Sequence, residues 1–280
     1  VSIFNCHHSL FNNLPASKKR KIQYPFKVKN MQINIKNLSI EYKKNNKIVY
    51  PCNLKFKQGE RIGVIGESGA GKTTLIKGIF GNIITPYRMN GNIQFISNGK
   101  QKSYSNFLSK IPLISPYFKK KFLRRIWGKE VSFIYQEPYV TLSPSITIAQ
   151  QINDILKLNG YSNKISKLRN KIQELSLFPK NRIHTIKDYL SGGESQRAAI
   201  AMAIASEPGI LVADEPTTGL DLITQKQIIA TLLKILNKKN NMSLIFVTHS
   251  LGLLNQVLCG QGKVLVFYKG HLLEEFEITP

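Results

Sequence analysis

The sequence predicts an α/β fold with a mostly parallel sheet, and two observations support this prediction. Short apolar runs such as "RIGVIG" and "GILVADE" are typical of buried strands. They alternate with longer segments, such as "TIAQQINDILKLNG", whose apolar residues recur three and four positions apart. This alternation favours parallel strands joined by helices, with ligands bound where the strands end.

The N-terminal half contains the first predicted elements. Residues 1–30 mix prolines, lysines and polar residues without a period, which predicts a disordered or extension arm. Strands are expected in "MQINIKNLSIEYK", where apolar residues alternate, then in "LKFK" and in "RIGVIG". The helical segment "TTLIKGIF" follows, and further strands are expected in "NIQFIS" and in "EVSFIYQ", which ends at Gln136.

The C-terminal half begins with a helical insertion. After "TIAQQINDILKLNG", the segment "KISKLRNKIQELSL" has the same helical spacing, so we expect an α-helical subdomain at residues 138–195 within a single domain of residues 31–280. The strand "GILVADE" and an amphipathic helix that begins at "DLITQ" follow the insertion. Two more strands are predicted, in "SLIFVTHS" and "KVLVFYKG".

The chain is strongly basic, with a formal net charge of +24 over 280 residues. Two explanations remain open: a basic face for nucleic acid or anionic lipid, or a composition rich in lysine, asparagine and isoleucine along the whole chain. The local basic runs at residues 18–21 and 119–125 are not interleaved with aromatic residues as in a base-stacking platform. The charge pattern therefore favours compositional bias with a solvated or membrane-facing surface.

Cysteine content and hydropathy bear on the cellular compartment. The 3 cysteines have no paired spacing, which is typical of reduced cytosolic thiols. The triplet Cys6-His7-His8 could ligate a metal, but adjacent residues rarely close a tetrahedral site, so we expect a solvated tail. The longest apolar run, at residues 198–205, is far short of the ~20 residues that cross a bilayer. With no signal peptide recognised, we expect the protein at the cytoplasmic face of a membrane.

A phosphate-binding loop is predicted in "GESGAGKT", which fits the pattern G-x-x-x-x-G-K-[ST] between a strand and a helix. Its glycines let backbone amides surround phosphate oxygens, while Lys72 adds a positive charge and the Thr73 hydroxyl can ligate Mg²⁺. The predicted nucleotide-binding residues of this segment are Gly66, Glu67, Ser68, Gly69, Ala70, Gly71, Lys72, Thr73 and Thr74.

Polar side chains follow other predicted strands. "ILVADE" ends in Asp214, a candidate Mg²⁺ ligand, and in Glu215, which could polarise an attacking water. Gln136 and His249 also end apolar strands. Because parallel strands end at one edge of a sheet, we expect these side chains to meet near the phosphate loop.

A second candidate anion site lies in "LSGGESQR" at residues 190–197. Two glycines after a serine open onto the apolar run "AAIAMAIA", which predicts a helix whose first backbone amides are free to bind a phosphate.

Taken in order, the phosphate loop, the glutamine, "LSGGE", "ADE" and "THS" resemble the nucleotide-binding subunit of ATP-binding cassette (ABC) transporters over residues 31–277. The resemblance implies a P-loop NTPase core of ABC type, with an antiparallel β subdomain and an inserted α-helical subdomain. It also implies that ATP and Mg²⁺ bind, and that two cassettes pack head to tail. The "LSGG" of one cassette then completes the ATP site of the other.

The family's residue roles carry over to matching positions. The resemblance implies that Lys72, Gln136, Glu215 and His249 are catalytic, with Glu215 as the base and His249 as the switch histidine. It implies an adenine contact for Tyr42, with Tyr50 as the weaker competitor, and a loop at Asp221 that crosses the dimer interface. Nucleotide contacts are further implied for Gln136, Ser191, Gly192, Gly193 and Glu194, and Mg²⁺ ligation for Thr73, Gln136 and Asp214.

The segment "YQEPYVTLSPSITIAQQI" is similar to the peptide and nickel importer branch of this family. That branch implies a second ATPase subunit, the same or paralogous, two transmembrane permease subunits and a substrate-binding protein. Peptide members usually carry a C-terminal extension with cysteines, whereas this sequence stops at Pro280. This favours nickel or another metal chelate as the substrate, with peptides as the open alternative. The alternative is a soluble ABC-type ATPase acting on nucleic acid or ribosomes, which the basic charge supports, although no nucleic-acid partner is expected.

Overall fold

Two β-sheets organise the chain in the computed structural model, which describes residues 31–43, 46–81, 83, 86–97, 100–103, 130–159, 182–238 and 241–279. Several predictions lie outside these residues: the arm at 1–30 with its Cys6-His7-His8 triplet, both basic runs, and the helix "KISKLRNKIQELSL". The boundaries of the arm and of the helical subdomain at 138–195 therefore stay predictions.

The first sheet is antiparallel and has the strand order β2-β1-β4-β5. β1 and β2 pair so that Ile33 lies opposite Phe56 and Ile35 opposite Leu54, which places buried apolar side chains on one face. The segment "LKFK" forms only the end of β2, and β5 was not predicted from the sequence. The strands are β1 (Gln32–Tyr42), β2 (Asn46–Lys57), β4 (Tyr87–Ser97) and β5 (Lys100–Ser103).

The second sheet has the order β10-β9-β3-β8-β7-β6 and is parallel except for β10, which pairs antiparallel with β9. The mostly parallel sheet is thus confirmed. β6 ends at Ile134, which leaves Gln136 in the following loop rather than at the strand end. The strands are β3 (Arg61–Gly66), β6 (Val131–Ile134), β7 (Ile210–Asp214), β8 (Ser243–Thr248), β9 (Gly262–Tyr268) and β10 (His271–Ile278).

Helices cover this sheet and begin at recognisable caps. Thr147 and Gln150 form a reciprocal capping box at the start of α2, and Ser250 caps α5. The run at residues 198–205 is buried throughout, so its apolar character reflects a position in the core. The helices are α1 (Lys72–Ile79), α2 (Ile148–Leu158), α3 (Gly192–Ala205), α4 (Leu222–Lys238) and α5 (Leu251–Leu258). Among the described residues, no helix is both long and apolar enough to cross a membrane.

Alternation along the buried strands separates two hydrophobic clusters. In β7, Val212 packs with α1 and the antiparallel sheet, while Leu211 and Ala213 pack with the remaining helices on the other face. The parallel sheet is therefore covered on both faces. Its carboxyl-terminal edge remains available for polar residues.

Candidate active site

The phosphate loop connects β3 to α1. Its backbone path requires glycine, because an added side chain would clash with neighbouring backbone atoms. Gly71 has φ 95°, and a Cβ atom there would lie 2.7 Å from the Ile48 carbonyl oxygen in β2. The Gly270 amide donates to the Ala70 carbonyl oxygen at 2.9 Å. The loop is thus shaped by the antiparallel sheet on one side and by the β9–β10 turn on the other.

Lys72 is the buried cation of the site. Its side chain is 5% exposed, and Nζ donates to the carbonyl oxygens of Gly66 at 2.8 Å and Glu67 at 2.7 Å. Burial lowers the pKa of Lys72, while the carboxylates of Glu215 and Asp214 oppose that shift. The Lys72 ammonium therefore lies beneath the exposed residues of the loop, where it can contact a bound anion.

A hydroxyl and a carboxylate meet beneath the loop. Thr73 Oγ1 donates to Asp214 Oδ1 at 2.8 Å, which joins α1 to the end of β7. Burial raises the pKa of Asp214, and the hydrogen bond from Thr73 partly offsets this. Hard oxygen donors of this kind are the ligands that Mg²⁺ prefers, so these two predicted ligands fit the ion.

Glu215 is the centre of a polar cluster. Its φ of 46° lies in the left-handed region, and its amide donates to the Val247 carbonyl oxygen at 2.9 Å. This backbone turn brings Oε1 to 4.0 Å from Lys72 Nζ and Oε2 to 3.3 Å from His249 Nδ1. Thr218 Oγ1 donates to Oε2 at 3.0 Å. One carboxylate thus contacts the phosphate-loop lysine and the histidine that follows β8.

Gln136 lies in the exposed loop after β6. The preceding Tyr135 ring lies 5.8 Å from Lys77 Nζ on α1, and the Tyr135 carbonyl oxygen accepts a hydrogen bond of 3.5 Å from Gln196 on α3. Tyr135, the residue before Gln136, therefore contacts both the phosphate-loop helix and the helix that begins at "LSGG".

The "LSGGE" segment forms the start of α3. The Ser191 hydroxyl accepts from the Glu194 amide at 3.2 Å, and Glu194 Oε2 accepts from the Ser191 amide at 2.9 Å. Arg182 donates two hydrogen bonds to the same carboxylate, from Nε to Oε1 at 3.1 Å and from a terminal nitrogen to Oε2 at 3.0 Å. The hydrogen bond from Arg182 lowers the pKa of Glu194 to about 2.

The glycines of this segment pack against the start of α4. A Cβ atom on Gly193 would lie 2.7 Å from Thr224 Cγ2, and one on Gly192 would lie 3.5 Å from a Leu220 methyl carbon. Asp221 accepts hydrogen bonds from the amides of Ile223 and Thr224 and so caps α4. The carboxylate predicted to face a dimer interface thus also stabilises a helix start.

Two tyrosines were weighed as adenine contacts. The ring centroid of Tyr42 lies 5.1 Å from that of Tyr87 at an interplanar angle of 61°, an edge contact. The Tyr50 ring stacks on His271 at 3.8 Å. Because His271 covers a face of Tyr50, the geometry favours Tyr42 as the ring that accepts a base.

The structure brings together Lys72, Thr73, Asp214, Glu215 and His249. Within the described part of the chain, the side-chain hydrogen bonds of Ser191 and Glu194 run to each other and to Arg182, and not to the phosphate loop. Sequence reasoning missed Arg182 and Thr218. The sequence could have indicated Thr218, because it lies three residues after Glu215, the candidate base. No sequence pattern around Arg182 indicates a contact with Glu194.

Comparison with known sequences identifies related proteins. A profile described as "ABC transporter" matches residues 49–218. The chain is 36% identical over 250 residues to the dipeptide transport ATP-binding protein DppD of Escherichia coli (strain K12), covering 86% of this chain and 71% of that protein. It is 33% identical over 251 residues to the oligopeptide transport ATP-binding protein OppD of Bacillus subtilis (strain 168), covering 86% and 65%.

A solved structure has the same fold. It is a dimeric ATP-binding cassette, MJ0796, in a post-hydrolysis state bound to ADP and Pi. It superposes with a TM-score of 0.68 at 23% identity and covers 89% of this chain and 99% of that one. The predicted core, with its parallel sheet and antiparallel subdomain, is therefore confirmed.

Proposed function

The chain belongs to the ABC transporter family of ATPases, and we propose that it is the ATP-hydrolysing subunit of a peptide importer. The observation that carries the catalytic part is the cluster around Glu215. The Glu215 carboxylate, which is 13% exposed, contacts both the buried Lys72 of the phosphate loop and His249. Groups of this kind, gathered at the carboxyl ends of parallel strands, suit phosphoryl transfer to water.

ATP binding is assigned to the phosphate loop. The amides of residues 66–74 surround the phosphates, and Lys72 turns from the loop carbonyls it now contacts to the nucleotide. Tyr42 stacks on adenine. Mg²⁺ would be held by Thr73, Gln136 and Asp214, and when bound it supplies charge neutralisation on the phosphates.

Hydrolysis is assigned to the polar cluster. Glu215 Oε2 orients the attacking water and accepts its proton, while Thr218 and His249 hold this oxygen in place. His249 is 57% exposed, so its ring can contact a γ-phosphate that arrives from solvent. Lys72 stabilises charge on the leaving oxygens.

A second cassette completes the site in this proposal. In the part of the chain that the structure describes, the Ser191 side chain hydrogen-bonds to the Glu194 amide and not to its own phosphate loop. We therefore assign the phosphate bound by Ser191, Gly192 and Gly193 to ATP held by another cassette. The dimer formed by the similar cassette MJ0796 supports this arrangement. Asp221 hydrogen-bonds to Thr224, which packs against Gly193, so we assign Asp221 to the same interface.

Peptides are the proposed substrates because the relatives reported above are named for dipeptide and oligopeptide transport. The expectation of nickel or another metal chelate finds no specific support in these relatives. The alternative action on nucleic acid or ribosomes likewise has none. We place the chain at the cytoplasmic face of the membrane, bound to two permease subunits that receive peptide from a substrate-binding protein.

Uptake in source cells tests this proposal. We expect cells carrying Glu215→Gln in place of the native chain to lose uptake of labelled dipeptide and oligopeptide. Glu277→Gln, a matched change at an exposed carboxylate on β10, should leave uptake unchanged. Loss of labelled nickel uptake with normal peptide uptake would contradict the peptide assignment. Full uptake of every probe would contradict the role in import.

A further inference from the structure

The start of α3 carries a charge that conflicts with phosphate binding. Glu194 lies in the first turn of this helix, next to the amides of Gly192 and Gly193. A carboxylate there stabilises the isolated helix, because it complements the positive end of the helix dipole. It would, however, repel the γ-phosphate of an incoming ATP, since like charges a few ångströms apart interact unfavourably.

Arg182 forms an ion pair with the Glu194 carboxylate. Both oxygens of Glu194 are engaged by its guanidinium, in the bidentate geometry that suits arginine better than lysine. The Glu194 side chain is 16% exposed and that of Arg182 37%, so the pair is partly shielded from solvent. The Glu194 carboxylate is therefore part of an ion pair that has no net charge.

The same guanidinium also fixes the backbone that leads to the serine. A terminal nitrogen of Arg182 donates to the Tyr189 carbonyl oxygen at 2.7 Å, just before the segment turns into α3. The next carbonyl, that of Leu190, accepts from the Tyr139 hydroxyl at 3.2 Å. Arg182 therefore spans the turn before Ser191 and the first turn of the helix after it.

These contacts also argue against Glu194 as a nucleotide ligand. Oε1 accepts from Arg182, and Oε2 accepts from Arg182 and from the Ser191 amide. A carboxylate held in this way has no donor to offer a phosphate. The nucleotide contact implied for Glu194 is better explained as support of its neighbours.

We propose that Arg182 is a positioning residue of the second half-site: it neutralises Glu194 and holds residues 189–194 so that Ser191, Gly192 and Gly193 can bind the γ-phosphate of ATP on another cassette. This inference rests on the proposed two-cassette mechanism. It assigns to Arg182 an effect on hydrolysis but none on the binding of ATP to its own phosphate loop.

A double-mutant cycle separates this role from a purely structural one. The variants are Arg182→Met, Glu194→Gln and the combination of both, with Lys234→Met as a control for loss of one exposed charge on α4. The full-length chain, with its partner cassette if one is required, is assayed for kcat and KM with Mg-ATP. Binding of a fluorescent ATP analogue to the separated chain reports on its own phosphate loop.

We expect Arg182→Met to lower kcat by roughly tenfold or more, because an unpaired carboxylate then faces the phosphate. The affinity for the fluorescent analogue should change less than about twofold, since the phosphate loop is untouched. Glu194→Gln alone should lower kcat less than Arg182→Met does, because Arg182 keeps its contact with the Tyr189 carbonyl oxygen. Adding Glu194→Gln to Arg182→Met should restore part of kcat, because the unpaired carboxylate is removed. Lys234→Met should behave as wild type.

Two outcomes would overturn the inference. The first is hydrolysis of ATP by Arg182→Met at the wild-type rate. The second is a double variant no more active than Arg182→Met, which is the result for a merely structural arginine. If Arg182→Met does not fold, as judged by thermal unfolding, Arg182→Lys takes its place; it keeps the charge, loses the bidentate contact and should show an intermediate loss. Failure of the wild-type chain itself to hydrolyse ATP would instead contradict the proposed function.

Discussion

Nδ1 of His249 lies 3.3 Å from Oε2 of Glu215, a contact that joins the ends of two neighbouring parallel strands. The same oxygen accepts a hydrogen bond from Thr218, so the carboxylate is oriented from two sides. Its other oxygen faces Lys72. The proposed base is therefore oriented by side chains of this chain, which is what an efficient general base requires.

Glu215→Gln should lower ATP hydrolysis by roughly 100-fold or more, because an amide cannot accept the proton of the attacking water. ATP binding should persist, so the variant should accumulate as an ATP-bound dimer. Size-exclusion chromatography with and without ATP measures this, and Glu277→Gln is the matched control. Hydrolysis at the wild-type rate would show that Glu215 is not the base.

Lys72→Ala should abolish hydrolysis and weaken nucleotide binding, in contrast to Glu215→Gln. The change removes the buried charge that faces the phosphates and leaves the carbonyls of Gly66 and Glu67 without their donor. Equilibrium binding of a fluorescent ATP analogue separates the two variants. Equal affinity of Lys72→Ala and wild type would argue against this lysine as a phosphate contact.

Tyr42→Ala should weaken ATP binding by about 1–3 kcal/mol, by analogy with stacking of nucleic-acid bases on aromatic side chains. Tyr50→Ala is the comparison, because the Tyr50 ring already stacks on His271 and should matter less for ATP. The ratio of affinities for ATP and inorganic triphosphate isolates the adenine contribution. A larger loss for Tyr50→Ala would exchange the two assignments.

Gly66→Ala should destabilise the fold by about 2 kcal/mol, because a Cβ atom at the end of β3 would overlap the Phe267 carbonyl oxygen in β9. Gly252→Ala is the matched control: its Cβ would meet nothing closer than Ser250 Oγ at 3.9 Å. That change, at an exposed position of α5, should be neutral or stabilise by up to about 1 kcal/mol. Urea unfolding measures both, and equal effects would contradict the packing argument.

The Glu194–Arg182 pair should make stability depend on pH in the acid range. The folded-state pKa of Glu194 is about 2, below its ordinary value of 4.5. The contribution is therefore fully present above pH 4.5 and is lost as the pH falls through about 2. Because Arg182 is partly exposed, solvent screening keeps this contribution small.

Unfolding free energies of wild type and Glu194→Gln, measured from pH 7 to pH 2, test this dependence. The difference between the two proteins should be largest at neutral pH and shrink toward pH 2. A difference that stays constant over this range would show that the carboxylate gains nothing from Arg182.

Much of the fold and of the candidate catalytic cluster could be predicted from local patterns. The strand–loop–helix around Lys72 and the apolar strand that ends at Asp214 are contiguous, so their conformations follow from neighbouring residues. Parallel strands bring their ends to one edge, and this alone places Thr73, Glu215 and His249 together.

Contacts between distant segments were decided by the tertiary structure. Arg182 donates a hydrogen bond to Glu194, and Thr224 packs against Gly193. These contacts, and the pairing of β10 with β9, form only once the chain has folded. The motif at residues 190–197 therefore predicts a phosphate site but not what neutralises the carboxylate beside it. The physical reason is that periodicity and spacing encode the backbone, whereas the charge balance of a site depends on side chains that meet through space.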